Sequence, residues 1–388
     1  MTKKYYFIGI KGTGMGPLAQ ILHDQGNTVL GSDIDSYTYT QAPLEAAGIK
    51  ILPFSADNVD RYADAIFVRG NAFNDDHVEV QRALTLGVKM MSYPDAVQEQ
   101  IAQTTSIAVA GAHGKTSTTG LLAHVVKNIA PTSYLIGDGT GRGVPNSQFF
   151  VVEADEYRRH FKDYAPDYAI LTNIDFDHPD YYEDINDVTR AFSDFANHVK
   201  KAIFAWGDDP HLRLLQPKAD VYYYGTNSEQ DDFVATNIRK STQGSHFDVV
   251  FRGQSLGEFS VPLFGQHSIL NALSVIAVAY MEKMDLSLIK SFLMTYQGVK
   301  RRFSEKQIAD ITVIDDYAHH PTEIDATLDA ARQKYPNKQI IAIFQPHTYS
   351  RVIAYKDEFA KSLEAADKVY LANIFGSARE KQGDRKSV

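Results

Sequence analysis

The chain has 388 residues, 44% hydrophobic and 22% charged, which suits two or three packed globular domains. Its net charge of −9 argues against bulk nucleic-acid or anionic-membrane binding, and the absence of cysteine excludes disulfides, thiolate catalysis and cysteine metal sites. With no apolar run of about 18 residues and an amino terminus, MTKKYYFIGI, that enters a strand at once, neither a membrane span nor a signal peptide is expected. A cytoplasmic protein follows as the default.

Tyr5–Ile10 reads as a first strand, followed by the glycines of Gly9-Ile-Lys-Gly12-Thr-Gly14-Met-Gly16. A helix to about Gln25 and a strand from Thr28 to Ser32, ending at Asp33, complete a βαβ opening. The glycines do not keep the dinucleotide register, because Gly16 stands where position 17 would be needed. A nicotinamide site, a UDP site and a ligand-free turn all remain open on these residues. Further strands fit Ala65–Val68 and Lys89–Met91, and Tyr93-Pro94 opens a helix ending near Gln103, the first expected boundary.

The stretch Ser106 to Val126 carries the strongest chemistry. Ile107–Ala110 reads as a buried strand and Leu121–Val126 as the apolar face of a helix. Between them, Gly111-Ala112-His113-Gly114-Lys115-Thr116 is shorter than the common phosphate loop, with Val109 where that pattern has glycine. Two glycines let backbone N–H groups converge on an anion, and the helix adds the positive end of its dipole. Lys115 supplies a charge for phosphate and Thr116 a hydroxyl for magnesium.

Gly137-Asp-Gly139-Thr-Gly141-Arg-Gly143 reads as a flexible glycine loop. Phe149 to Val152 is a strand ending in Glu153-Ala-Asp155-Glu156, and Tyr168–Ile174 a strand ending in Asp175-Phe-Asp177-His178. Strands of a doubly wound sheet carry ligands at their carboxyl ends, so Glu153 and His178 are expected to converge beside Lys115 and Thr116 around a magnesium ion. Asp155, Glu156, Asp175 and Asp177 fit surface acids at loop ends equally well. A helix over Val188–Val199 and a strand over Ala202–Trp206 follow, then three antiparallel strands at Asp232–Ile238, His246–Phe251 and Glu258–Val261. An apolar helix spans Ala272–Tyr280. Just before it His267 and Asn271, four residues apart, fit an adenine or ribose contact or a plain helix cap.

Gly298-Val-Lys-Arg301-Arg302-Phe303 marks the second boundary. A further βαβ series is expected: Thr312–Ile314, a helix from Pro321, Gln339–Phe344, a helix from Tyr349, and Lys368–Leu371. Asp316, His319 and His320 follow its first strand, and His347 and Arg351 its second. The adjacent histidines suggest zinc, yet no third ligand stands at convincing spacing.

Taken together, GIKGTGMGPLA, GAHGKTSTT, EADEYRRHF, TNIDFDHPDYY, FGQHSILNAL, GVKRRF, DDYAHHPTEI and FQPHTYSR resemble, in order and over nearly the whole length, the Mur ligase family. The resemblance implies an α/β protein of three domains: a Rossmann-like UDP-binding domain at 1–103, a P-loop ATPase domain at 104–298 and a Rossmann-like amino-acid-binding domain at 299–388. It implies ATP-dependent joining of L-alanine to the lactyl carboxylate of UDP-N-acetylmuramate through an acyl phosphate, with ATP and Mg2+, in a monomer or weak homodimer without nucleic-acid or membrane partners. Gly12, Thr13, Gly14, Met15 and Asp33 would face the UDP-sugar. Residues Gly111, Ala112, His113, Gly114, Lys115, Thr116 and Ser117, with His267, Asn271 and Arg302, would hold the nucleotide, and Thr116, Glu153 and His178 the metal. Lys115, Asp316, His319, His347 and Arg351 would be the catalytic set. The family's His-Asn pair is His267-Ser268 here. GSAREKQG is followed only by DRKSV, so the third domain is expected to lack its last strands and helices. The rival readings are a ligase adding a murein tripeptide to the same sugar, a nicotinamide-dependent oxidoreductase, and a non-catalytic UDP-sugar binder.

Overall fold

The computed structural model describes residues 2–227 and 229–376; the run from Ser377, which holds the end of the expected third domain, lies outside the described residues. The first 101 residues build a parallel sheet from β1 (Lys4–Ile8), β2 (Thr28–Asp33), β3 (Lys50–Pro53), β4 (Ile66–Arg69) and β5 (Met90–Ser92). Its helices are α1 (Met15–Asp24), α2 (Gln41–Ala46), α3 (Ala56–Arg61), α4 (Val78–Leu86) and α5 (Tyr93–Ile101). The strand order β3-β2-β1-β4-β5 reverses direction at β1 and β4, so the glycine turn after β1 lies at the crevice where such sheets take ligands. Tyr5, Tyr6, Phe7 and Ile8 are all buried, as expected of a strand covered on both faces. The start of α5 is set by a reciprocal capping box between Ser92 and Asp95, with proline in its first turn.

A ten-stranded sheet follows. Its strands are β6 (Thr105–Ala110), β7 (Thr132–Ile136), β8 (Thr140–Arg142), β9 (Phe149–Glu153), β10 (Tyr168–Leu171), β11 (Ala202–Trp206), β12 (Asp220–Gly225), β13 (Phe233–Ser241), β14 (Gly244–Phe251) and β15 (Gln254–Val261). Helix α6 (Lys115–Lys127) crosses from β6, α7 (Ile185–Ala196) precedes β11, and α8 (Gln266–Met281) and α9 (Leu286–Met294) close the segment. Eleven of the sixteen residues of α8 are buried, which explains why it carries apolar residues on every side. At Gly120 of α6 an added Cβ would lie 2.3 Å from Val299 Cγ1, so only glycine permits this approach.

The glycine run from Gly137 to Gly143 is not a loose loop, as its composition suggests, but the turn and β8 arm of a β7–β8 hairpin. Its glycines serve close packing. A Cβ at Gly141 would meet the Pro17 carbonyl at 2.6 Å, and one at Gly143 the Ile21 carbonyl at 2.2 Å, both on α1. The hairpin thereby ties the large sheet to the first one.

After Gly298 come β16 (Ser304–Ile308), β17 (Ile311–Asp315), α10 (Pro321–Lys334), β18 (Ile341–Phe344), α11 (Tyr349–Ala354), α12 (Lys356–Leu363) and β19 (Lys368–Leu371). The expected βαβ series is only partly present among the described residues. β18 and β19 pair in parallel, but β17 pairs antiparallel with β16. SEKQI is too polar to announce itself as a strand, and its two-residue turn places Ala309 at φ +49°. A small core of Ile324, Leu328, Phe344, Phe359 and Leu363 holds this unit together.

Candidate active site

β6 lies between β9 and β10 in the large sheet, so the carboxyl ends of three neighbouring strands open on one crevice. From β6 comes the phosphate loop. Gly111 and Gly114 hold φ of +150° and +82°, and a Cβ at Gly111 would fall 1.9 Å from Thr172 Oγ1. The loop is braced from the β10 side: Thr172 Oγ1 and Asn173 Nδ2 donate to the His113 carbonyl at 2.6 and 2.9 Å, and His113 N donates to Asn173 Oδ1 at 2.9 Å. Ala112 is buried in the turn, and the Ser117 carbonyl accepts from Tyr296 Oη at 3.4 Å.

Lys115 Nζ donates to the Gly111 and Ala112 carbonyls at 2.6 and 3.1 Å and pairs with Glu156 at 2.7 Å. Burial opposes its charge, but Glu156, Asp155 and Glu153 outweigh it and raise its pKa. Burial pushes the Glu156 carboxyl up to about 7 despite the lysine. Glu156 is therefore no surface acid: it is 2% exposed and also lies 3.7 Å from His178 Nε2. Asp177 is likewise buried, whereas Asp155 is exposed.

Thr116 Oγ1 donates to Glu153 Oε1 at 2.9 Å, and Gly137 N donates to Glu153 Oε2 at 2.7 Å. A Cβ at Gly137 would lie 2.4 Å from the same carboxylate. His178 adopts φ +61°, an uncommon conformation for a residue with a side chain, and its ring rests on Tyr157 at 4.5 Å. Burial lowers its pKa, so the imidazole favours the neutral form that binds metals. Thus Thr116 bonds to Glu153, whereas Lys115 and His178 both approach Glu156. The donor set of a hydroxyl, carboxylates and a neutral imidazole fits a divalent ion beside phosphate.

The C-terminal unit faces this crevice. Arg302 Nη1 donates to Glu323 Oε1 at 3.1 Å. Asp316 accepts from the Phe303 and Ala318 amides at 2.8 Å each, which clamps the chain around β17. His319 N donates to Glu323 Oε2 at 2.9 Å, and the His319 ring lies 6.4 Å from that of His347. His347 pairs in a bridge with Phe375. Arg351 is 5% exposed and donates to Asp177 Oδ1 from Nε at 3.1 Å and Nη2 at 2.8 Å.

His267 and Asn271 diverge despite their spacing on α8. The His267 ring turns toward Gly265 and Ser268, while Asn271 lies beside the phosphate loop, 3.5 Å from where a Gly114 Cβ would be. Ser268 donates to the Phe264 carbonyl at 2.6 Å and so satisfies its own helix turn. In the first sheet, Lys11 N donates to Asp33 Oδ2 at 2.6 Å, and Tyr39 Oη donates to Thr13 Oγ1 at 3.2 Å. Gly12 N returns to the Gly9 carbonyl at 3.1 Å, a Cβ at Gly14 would meet Tyr93 Oη at 2.6 Å, and Met15 is buried in the core.

Three family models match in sequence: "Mur ligase family, catalytic domain" over residues 4–105, "Mur ligase middle domain" over 109–279, and "Mur ligase, glutamate ligase domain" over 301–386. A UDP-N-acetylmuramate–L-alanine ligase of Leuconostoc citreum (strain KM20) is 99% identical over 383 residues, 99% of this chain and 86% of that protein. The chain belongs to the Mur ligase family. The ligase of the same description from Ligilactobacillus salivarius (strain UCC118) is 62% identical, covering 98% of this chain and 85% of its own length. Among solved structures, the UDP-N-acetylmuramate-alanine ligase of Thermotoga maritima superposes with a TM-score of 0.80 at 29% identity, over 96% of this chain and 85% of that one. A Neisseria ligase for UDP-N-acetylmuramate and L-alanyl-gamma-D-glutamyl-meso-diaminopimelate gives 0.69 at 29% identity, over 78% of this chain and 100% of that one.

Glu156, Asp175, Asp177 and Glu323 are the residues that motif reading undervalues. Each is visible as an acid near a strand or helix end. The partners of the first three lie far away in sequence: Lys115 is 41 positions from Glu156, His113 is 62 from Asp175, and Arg351 is 174 from Asp177.

Proposed function

We infer that this chain is an ATP-dependent ligase joining L-alanine to the lactyl carboxylate of UDP-N-acetylmuramate, a step of peptidoglycan precursor synthesis. The observation that carries the mechanism is the convergence of Lys115, Thr116, Glu153 and Glu156 at adjacent strand ends. A carboxylate is a poor acyl donor, since its leaving group would be oxide. Transfer of the γ-phosphoryl group of ATP to a carboxylate oxygen gives an acyl phosphate and ADP. The amine of L-alanine then attacks the carbonyl carbon, a proton is lost from nitrogen, and the C–O bond to phosphate breaks. Lys115 and the amides at the start of α6 offset charge on the moving phosphoryl group. Removing one preorganised donor of this kind costs about 3–4 kcal/mol of transition-state stabilisation.

In this reading Thr116, Glu153 and His178 hold Mg2+, which would neutralise phosphate oxygens when bound. Gly111 to Ser117, with Asn271 and Arg302, line the nucleotide, and His267 supports that face of α8. Gly12, Thr13, Gly14, Met15 and Asp33 shape the turn at the first sheet's crevice where the UDP-sugar is taken up. Lys115, Asp316, His319, His347 and Arg351 form the reacting face, with the three domains divided at 103 and 298. The enzyme works in the cytoplasm as a monomer or weak homodimer without nucleic-acid or membrane partners. No helix among the described residues is long and apolar enough to cross a membrane.

The test is phosphate release with ATP and each of several amino acids, with and without UDP-N-acetylmuramate. Release that requires both the sugar nucleotide and L-alanine is expected. Release that requires the murein tripeptide instead would overturn the assignment of the amine.

A further inference from the structure

Amide formation sheds a proton from the attacking nitrogen, and a base must stand where the amine arrives. The histidines around the crevice differ in what their ring nitrogens can still accept. His113 Nε2 faces Asp175 at 3.1 Å. Burial opposes a charge on His113, but Asp175 and Glu323 outweigh it and raise its pKa to about 9, so it keeps its proton at neutral pH. His320 Nδ1 accepts the Thr322 amide at 3.4 Å, which leaves the ring proton on Nε2, a buried atom. Neither ring offers a lone pair to a substrate.

His319, just before α10, is held the other way round. Its Nδ1 lies 2.8 Å from the Tyr317 carbonyl, which can only accept, so Nδ1 carries the hydrogen and Nε2 the lone pair. Glu323 reinforces this orientation: its Oε2 lies 3.2 Å from the same Nδ1 and accepts from the His319 amide at 2.9 Å. Burial opposes the Glu323 carboxylate, but His319, His113 and Arg302 outweigh it and keep it ionised, well below the usual carboxylate range. Around the His319 ring, burial and Arg351 of α11 disfavour a charge, while Glu323 of α10, Asp177 and the Tyr317 carbonyl favour one. Burial prevails, so the ring rests neutral and able to accept a proton.

We propose, resting on the reading of this chain as the L-alanine ligase, that His319 Nε2 is the base for the amine and that Glu323 is the residue that positions it. The alanine nitrogen attacks the carbonyl carbon of the acyl phosphate and gains a positive charge. Its proton passes to Nε2, and phosphate leaves with the electron pair of the broken C–O bond. The imidazolium so formed is stabilised across Nδ1 by the Glu323 carboxylate, the usual division of labour between a histidine base and its orienting acid. Glu323 Oε1 accepts from Arg302 Nη1 at 3.1 Å and lies 3.8 Å from His113 Nδ1. One buried side chain thereby sets the base in register with the phosphate loop, so the second half of the reaction is placed by the residues that surround the first.

The experiment separates the two halves of the reaction on the full chain. With ATP, UDP-N-acetylmuramate and hydroxylamine in place of L-alanine, the acyl phosphate is trapped as a hydroxamate by a nucleophile that needs no protein base. His319→Asn keeps a donor near the Tyr317 carbonyl and removes Nε2. It is expected to lower kcat for the amide ~10²–10⁴-fold at saturating L-alanine, the worth of a general base, while hydroxamate forms near the parent rate. The acidic limb of kcat against pH is expected to vanish in His319→Asn and to persist in His347→Asn. In Glu323→Gln it is expected to move to lower pH, because the carboxylate that favours the imidazolium is gone. An amide rate near the parent's in His319→Asn would overturn the proposal, as would amide and hydroxamate falling together, or loss of the limb in His347→Asn alone. A parent chain that makes neither amide nor hydroxamate would overturn the ligase reading itself, and the base with it.

Discussion

The ion pair between Arg351 and Asp177 is the clearest quantitative target. Both side chains are about nineteen-twentieths buried, and two guanidinium nitrogens reach Asp177 Oδ1 at 2.8 and 3.1 Å. The same oxygen accepts from His178 N at 2.7 Å, so the pair links α11 to the segment carrying His178. Burial disfavours the Asp177 carboxylate, but His178 and Arg351 hold its pKa far below the usual range. Arg351→Met leaves a buried, uncompensated carboxylate, and removing one member of such a pair costs about 3–5 kcal/mol. Asp177→Asn strands the guanidinium at a similar cost. The double variant strands neither, so it is expected to be less destabilised than the sum of the singles by about 2–3 kcal/mol. Hydrogen exchange of the α11 and α12 amides reads this locally, without requiring two-state unfolding of the whole chain. Additive single effects would refute the reasoning. Arg351 would then act on substrate alone, visible as a raised KM for L-alanine with unchanged exchange protection.

With Lys115 on phosphate as proposed, Glu156 would compete for it, so Glu156→Gln is expected to tighten ADP binding about 10-fold, the worth of one charge-assisted hydrogen bond; calorimetry showing unchanged or weaker binding would count against the competition. Gly141→Val should push the β7–β8 hairpin off α1, because a Cβ there meets the Pro17 carbonyl at 2.6 Å. A loss of about 1–3 kcal/mol is expected in a melt, and an unaltered Tm would argue against the packing role. The contact of His113 with Asp175 sets a pH window for the docking of α10. His113, raised to about 9, stabilises below its unfolded value of 6.5 and loses that contribution as pH rises through 9; Asp175, lowered to about 2, stabilises above 3.8 and loses its contribution as pH falls through 2. Each tenfold gain in proton affinity on folding is worth about 1.4 kcal/mol, so the protein is expected to lose α10 protection between about pH 7 and 9, measured by hydrogen exchange corrected for intrinsic rates.

The parallel strands that carry the site are readable because buried strands of this kind are short apolar runs bounded by glycine or acids. Ala202–Trp206 and Lys368–Leu371 match the structure residue for residue. β3, with sequence KILP, and β16, with sequence SEKQI, offer too little apolar pattern to be seen. The glycines from 137 to 143 read as looseness because composition cannot tell a free turn from one pressed against α1. At the site, Lys115, Thr116 and Glu153 sit next to strand ends and announce themselves. The partners of Glu156, Asp175 and Asp177 are set by which strands become neighbours, and that is decided by the whole sheet rather than by any local run.

In the proposed mechanism Lys115 reaches phosphate from a glycine turn. The most direct measurement is formation of UDP-N-acetylmuramoyl-L-alanine by Lys115→Ala, followed by mass with ADP release in parallel and folding checked by far-UV circular dichroism. A fall of about 10²–10³ in kcat for both products is predicted. A folded variant that forms the amide near the parent rate would contradict the account.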